Sequence, residues 1–99
     1  MTYNLSIKAR NDLQNIWLYT FENWSLEQAD KYVGLLLTEM EHHATDPGKG
    51  IDRSLVKSGY KCFQVKSHVI FYRIVNDKTE IEVIRILHKR MDIENRLRD

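Results

Sequence analysis

The chain has 99 residues, of which 42% are hydrophobic and 29% charged. This composition is typical of one globular domain over residues 1–99 and shows no bias towards disorder. The single cysteine, Cys62, excludes an internal disulfide and predicts a cytoplasmic protein. No apolar run is long enough to span a membrane, so no membrane is expected as a partner. Residues 1–47 carry three Lys and Arg against seven Asp and Glu, and residues 48–99 carry twelve against seven. The basic second half indicates an acidic partner or nucleic acid, or attraction between the two halves of one domain.

The first half predicts a strand followed by two helices. Alternation of apolar and polar residues predicts a short opening strand through Tyr3, Leu5 and Ile7. The spacing then becomes helical, with an apolar stripe of Ala9, Leu13, Ile16 and Thr20. Ser25 and Gln28 form a capping box, so a second helix should begin there, with the stripe Leu26, Ala29, Val33, Leu36, Met40 and Ala44. Pro47 ends it, and the short link predicts an antiparallel helical hairpin.

The second half predicts a β-meander. Residues 51–58 are polar and indicate an irregular connection, after which strands are expected at 60–65, 68–75 and 79–88. Tight turns should join them at 66–67 and 76–78, and Asp92 is suited to cap a terminal helical turn. The predicted fold is therefore α+β with the order β-α-α-β-β-β, a helical hairpin packed on one face of a mainly antiparallel sheet.

A basic cluster in the β half is the candidate site. Arg73 and Arg85 lie within apolar strands, where an unpaired guanidinium is costly. They could form a cationic floor on the sheet face opposite the helices, or one of them could pair with Asp92 or Asp52. Metal-free RNA cleavage would need a base, an acid and cations on the phosphate, which His88, Arg73 and Arg85 could supply. Two further residues could assist, Lys57 and Tyr60.

No metal or cofactor site is predicted. His42 and His43 are adjacent on a helix and point about 100° apart, so they cannot chelate an ion from one face. Cys62 has no activating neighbour beyond Lys61, which favours a small strand residue over a nucleophile.

Several stretches resemble one family along essentially the whole chain. They are "LSIKARNDLQNIWLYTFENWSLEQADKY", "DPGKG", "SGYKCFQVKSHVIFYRI" and "EVIRILHKRMD". This pattern resembles the ParE branch of the RelE/ParE superfamily of bacterial type II toxins. The resemblance implies a toxin, without enzymatic activity, that inhibits DNA gyrase and replication and acts in plasmid stabilisation. It also implies a ParD-like antitoxin that holds the toxin in a hetero-oligomer, and no sequence-specific DNA binding by this chain.

The resemblance also implies two sets of binding residues. The antitoxin is expected on Trp17, Tyr19, Trp24 and Tyr32, because aromatic residues often dominate interfaces. The target is expected on Arg73, Arg85, His88, Lys89, Arg90 and Met91. The alternative is a RelE-like, ribosome-dependent messenger RNA endoribonuclease. His88 matches the position of a catalytic residue in those toxins, whereas their terminal tyrosine and dense lysine cluster are missing here.

Overall fold

The structure, a computed structural model that describes residues 2–77 and 80–98, is a five-stranded sheet with helices on both faces. Its elements are β1 (Thr2–Leu5), α1 (Ile7–Asn23), α2 (Leu26–Ala44), a 3-10 turn (Pro47–Lys49), β2 (Ile51–Asp52), β3 (Lys61–Val65), β4 (His68–Val75), β5 (Glu80–His88) and α3 (Ile93–Arg98). The strand order is β1-β5-β4-β3-β2. Of the neighbouring pairs among the described strands, β1 and β5 run parallel and the other three are antiparallel. The predicted fold is confirmed.

Two serines set where the long helices begin. Ser6 Oγ accepts a hydrogen bond from the Ala9 N–H at 3.0 Å, and Ser25 Oγ accepts one from the Gln28 N–H at 3.0 Å. Ser6 caps α1, so Ile7 is the first residue of the helix, and its predicted place in the opening strand was wrong. Ile7 is 81% exposed. Leu26, placed in the apolar stripe of α2, is also exposed at the helix start. None of the described helices is long and apolar enough to cross a membrane.

The sheet separates two apolar clusters. The larger one lies between the sheet and the α1–α2 hairpin and contains Leu36, Met40 and Tyr72, all fully buried. The smaller one lies on the opposite face, where Leu97 of α3 and Val56 pack with Phe71 of β4. The face on which a cationic floor was expected is therefore largely covered by α3 and the 53–60 loop.

The connections differ from the prediction in one place. Ile51 and Asp52 form a short edge strand against Cys62 and Lys61, within a segment predicted to be irregular. A two-residue strand is too short to show a periodic pattern. Asn76 and Asp77 have φ angles of 51° and 55°, as a hairpin turn requires, whereas positions 78 and 79 of the predicted turn and strand lie outside the described residues.

Gly50 allows the closest approach between the connection after α2 and the core. The Tyr72 hydroxyl donates a hydrogen bond to the Pro47 carbonyl at 2.5 Å, and a Cβ at Gly50 would lie 2.1 Å from that hydroxyl oxygen. Gly50→Ala should therefore lower the free energy of unfolding by about 1–3 kcal/mol, measured by urea unfolding, because buried Tyr72 would have to move. Gly48→Ala is the matched control, since a Cβ there contacts nothing within 4 Å. Equal stability of the two variants would contradict the prediction.

Candidate functional site

A groove of about 820 Å³ lies between the helical hairpin and the end of the sheet where β3, β4 and β5 meet. We call it the hairpin groove. One part of its wall is aromatic and apolar, and it consists of Ile16, Tyr19, Trp24, Tyr32 and Met91. Trp24 is 75% exposed and Tyr19 65% exposed. Large side chains that stay so exposed in a groove are typical of a protein interface.

The other part of the hairpin groove is polar and mostly basic. It is lined by Lys66, Arg85 and Arg96, by the imidazoles of His68 and His88, and by one carboxylate, Asp12. Among the described residues, this part of the groove therefore carries an excess of positive charge. The wall has the chemistry to bind an acidic side chain next to the aromatic surface.

Asp12 and Arg85 join α1 to the sheet. Arg85 Nε and Nη2 donate to the two Asp12 carboxylate oxygens at 2.8 and 3.0 Å, and the Ile86 N–H donates to Asp12 Oδ2 at 2.9 Å. The two side chains are 12% and 14% exposed. A bidentate pair this shielded from water fixes the direction of the guanidinium. Arg85 Nη1 also donates to the Arg96 carbonyl at 3.1 Å, which ties α3 to β5.

A histidine pair forms the floor of the polar part. His68 and His88 are partners across β4 and β5, and their ring centroids lie 5.4 Å apart at 82°. The Tyr32 hydroxyl lies 2.6 Å from His68 Nδ1. The Arg90 N–H donates to His88 Nδ1 at 3.1 Å, so the neutral His88 ring carries its proton on Nε2. Burial, together with nearby His88 and against the effect of Asp12, lowers the pKa of His68 to about 4.

His68 should make the fold less stable as the pH falls. Its pKa is about 4 in the folded chain and near 6.5 when unfolded, so between these values the unfolded state binds the additional proton. The free energy of unfolding should decrease as the pH falls from 6.5 to 4, and this contribution should be complete below about 4. Urea unfolding across this window measures it. His68→Gln should reduce the slope, whereas His42→Gln, at an exposed position, should not; an unchanged slope in His68→Gln would contradict the prediction.

A second, smaller cleft of about 480 Å³ lies beside the start of α1, between the 53–60 loop, β5 and α3. We call it the basic cleft. Lys8, Lys57, Arg85 and Arg96 line it together with Tyr60 and Glu82. Arg85 and Arg96 line both this cleft and the hairpin groove, so they lie at the boundary between the two.

The structure divides the residues predicted for the site. The hairpin groove brings together Tyr19, Trp24 and Tyr32 from the antitoxin set and Arg85, His88 and Met91 from the target set. Trp17 does not line it; its Nε1 donates to Asp30 Oδ1 at 2.9 Å and its ring stacks on Phe21. Lys89 and Arg90 are exposed in the turn after β5.

Both strand arginines have carboxylate partners, but not the suggested ones. Arg73 pairs with Glu82, with Nε and Nη2 each 2.8 Å from Oε1, and Arg85 pairs with Asp12. The expectation that Asp92 or Asp52 would pair with one of these arginines was wrong. Asp92 instead accepts from the Asn95 N–H at 3.4 Å at the start of α3, and Asp52 accepts from Ser54. Asp92 thus caps the terminal helix, as predicted.

The charged and imidazole side chains of the hairpin groove that were not chosen as site residues from the sequence are Asp12, Lys66, His68 and Arg96. Local sequence gives no signal for Asp12, because its partner Arg85 lies 73 positions further along the chain. His68 carried a usable signal. An antiparallel pairing of the predicted strands 68–75 and 79–88 places His68 beside His88. Within the described residues, no three His, Cys, Asp or Glu side chains lie together as metal ligands would.

Comparisons with known proteins define the fold class first. The fold matches "Chromosomal ParDE TA system from P. aeruginosa" with a TM-score of 0.76 at 20% identity, covering 89% of this chain and 95% of that one. It also matches the toxin-antitoxin complex RelBE2 from Mycobacterium tuberculosis with a TM-score of 0.50 at 17% identity, covering 91% and 92%. The chain therefore has the α+β fold found in RelE/ParE-type toxin systems.

Sequence comparison identifies the family. Residues 3–93 match the model of the ParE toxin of the type II toxin-antitoxin system parDE. Toxin ParE1 of Caulobacter vibrioides is 38% identical over 90 residues, 91% of either chain, and Toxin ParE1 of Mycobacterium tuberculosis is 35% identical over 95 residues, 96% of either chain. This chain belongs to the ParE toxin family, the toxins of type II toxin-antitoxin systems.

Proposed function

We propose that this chain inhibits DNA gyrase and that a ParD-like antitoxin neutralises it by binding in the hairpin groove. Membership of the ParE family over residues 3–93 supports the gyrase target. The observation that carries the antitoxin site is the exposure of Trp24 and Tyr19 in a groove with a basic end. An acidic segment with apolar anchors fits both parts of this wall.

The shared groove also suggests how neutralisation works. Tyr19 and Trp24 line the same groove as Arg85, His88 and Met91, which are the candidate target contacts. An antitoxin segment in the groove would cover those contacts, so antitoxin and gyrase would compete for one surface. Neutralisation then requires no change in the toxin's fold.

The test is a supercoiling reaction with purified gyrase, ATP and relaxed plasmid. Addition of this protein should inhibit supercoiling and produce linear DNA linked to protein. Met91→Ala and His88→Ala should weaken the inhibition, whereas Leu55→Ala, fully exposed and outside the groove, should inhibit like the parent. Unaffected gyrase at a large excess of a preparation that is toxic in cells would overturn the proposal.

The nuclease alternative has less support from the geometry. His88 lies in the hairpin groove, whereas Lys57 and Tyr60 line the basic cleft; of the five suggested catalytic residues, Arg85 is the one that lines both. Arg73 is paired with Glu82 and lines neither cavity. The five residues suggested for catalysis thus do not surround one position. His88→Ala separates the two functions: a nuclease that uses His88 as acid or base should lose about 10²–10⁴ in rate, whereas loss of one interface contact should only weaken gyrase inhibition.

A further inference from the structure

The histidine pair on the floor of the hairpin groove has one engaged and one open nitrogen in each ring. His68 Nδ1 lies 2.6 Å from the Tyr32 hydroxyl, and His88 Nδ1 accepts the Arg90 N–H at 3.1 Å. Among the described residues, neither Nε2 atom has a hydrogen-bond partner, and neither is fully enclosed. Both rings line the groove, so Nε2 is the atom that each ring offers to a ligand.

The contacts at Nδ1 make both Nε2 atoms donors. Because the Arg90 N–H needs an unprotonated Nδ1, neutral His88 carries its proton on Nε2. The Tyr32 hydroxyl has two acceptors within reach, His68 Nδ1 at 2.6 Å and the Val65 carbonyl at 3.5 Å. The shorter contact favours donation to Nδ1, so neutral His68 also carries its proton on Nε2. Two N–H donors suit a hydrogen-bond acceptor, whereas a metal ion would need the lone pair of an unprotonated Nε2.

An acceptor is needed at this place once the groove is occupied. An antitoxin segment in the groove would exclude water from both donors, and a buried N–H without a partner is costly. Lys66, in the turn between β3 and β4, lines the same part of the groove, and none of the salt bridges among the described residues involves it. Arg85 is not counted, because Asp12 already binds it through two contacts. Two N–H donors beside this ammonium group fit a carboxylate better than a neutral carbonyl.

We propose that the histidine pair binds a carboxylate side chain of the antitoxin and that a proton is taken up when it does. The inference rests on the proposed antitoxin site and names the chemistry of one contact in it. Burial and the neighbouring His88 lower the pKa of His68 to about 4 in the free toxin. A carboxylate at Nε2 counteracts both effects, so His68 gains a proton from solvent on Nδ1 when the antitoxin binds. Tyr32 can accommodate this proton, since its oxygen then accepts from Nδ1 and its hydroxyl donates to the Val65 carbonyl.

The charged and titratable groups around His68 come from all the elements that line the groove. They are Asp12 and Tyr19 of α1, Tyr32 of α2, Lys66 of the turn, Arg85 and His88 of β5, and Arg96 of α3. All are present in the free toxin, where Asp12 acts to raise the pKa of His68 but does not outweigh burial and His88. The charge that binding adds is therefore that of the antitoxin carboxylate.

The test is titration calorimetry of the full chain with purified antitoxin, from pH 6.5 towards 4 and in buffers of different ionisation enthalpy. The complex binds more protons than the free toxin in this window, so affinity should rise as the pH falls, by at most about tenfold per pH unit. His68→Gln keeps an N–H donor at the same place but cannot be protonated, so it should bind without proton uptake. His42→Gln, exposed and outside the groove, should behave like the parent. Circular dichroism melting at each pH should show the variants folded.

Replacing each Asp and Glu of the antitoxin by its amide identifies the carboxylate, and one such change should abolish the proton uptake. These replacements leave the toxin unchanged, so they decide the matter even if His68→Gln does not fold. No uptake by the parent, equal uptake in His68→Gln, or uptake that survives every amide replacement would overturn the proposal.

Trp24→Ala in the same titration distinguishes this contact from the antitoxin site as a whole. Weaker binding of Trp24→Ala, together with no proton uptake by the parent, overturns the carboxylate contact alone. Binding of Trp24→Ala equal to that of the parent overturns the site and the contact together.

Discussion

Replacing Asp12 by alanine should reduce the free energy of unfolding by about 3–5 kcal/mol, the usual cost of removing one partner from a buried ion pair. The change leaves the Arg85 guanidinium, 12% exposed, without its bidentate carboxylate. It also removes the acceptor of the Ile86 N–H. The pairing of β1 with β5 ends at Val83, so β1 does not pair with Ile86. Urea unfolding of the purified toxin measures the loss.

Two comparisons make this prediction specific. Glu82→Ala removes the other arginine pair, but the Arg73 side chain is 53% exposed, so the cost should be only about 0–1 kcal/mol. The double variant Asp12→Ala, Arg85→Met should recover part of the stability lost in Asp12→Ala, because no buried charge remains. An Asp12→Ala protein as stable as Glu82→Ala would show that the pair does not hold α1 to the sheet.

Trp24→Ala should weaken antitoxin binding by about 2 kcal/mol or more, a factor of about 30, if the hairpin groove is the antitoxin site. The indole is a large, exposed anchor at the mouth of the groove, so its loss removes buried area only in the complex. The free energy of unfolding of the isolated toxin should therefore change little. Titration calorimetry with the purified antitoxin gives the affinity.

Trp17→Ala is the informative control for that experiment. Trp17 was placed with Trp24 in the predicted antitoxin set, but its indole binds Asp30 and stacks on Phe21 outside the groove. Its replacement should affect the stability of the α1–α2 hairpin more than antitoxin affinity. The reverse result, with Trp17→Ala weakening binding and Trp24→Ala binding normally, would move the interface to the outer side of the hairpin.

The fold was predictable because its signals are local. Helical spacing, the capping serine Ser25 and the alternation around Ile81 each act over a few residues, and together they predicted the element order. The errors occurred where a contact, and not the residue spacing, sets the secondary structure. Ile7 is helical because Ser6 caps α1, and the two residues of β2 form a strand by pairing with Cys62 and Lys61.

The site was only partly predictable, because it depends on distant pairs. The family resemblance suggested Met91 and His88 as target contacts and Tyr19 and Trp24 as antitoxin contacts. Nothing in the sequence indicates that Asp12 binds Arg85 or that Lys57 and His88 lie in different cavities. The register of β4 against β5 shifts between Phe71 and Tyr72, and α3 covers one face of the sheet; only the tertiary structure shows these features.

The position of β5 has a consequence for how the chain folds during translation. This strand lies between β1 and β4, so the first strand made pairs with the last, as in Tyr3 with Ile81. Non-local pairing of this kind forms late, since a long loop must close first. During translation the sheet cannot be completed, and the Asp12–Arg85 pair cannot form, until β5 has left the ribosome. Any interruption of translation before residue 80 therefore yields a fragment without the strand that joins its two halves.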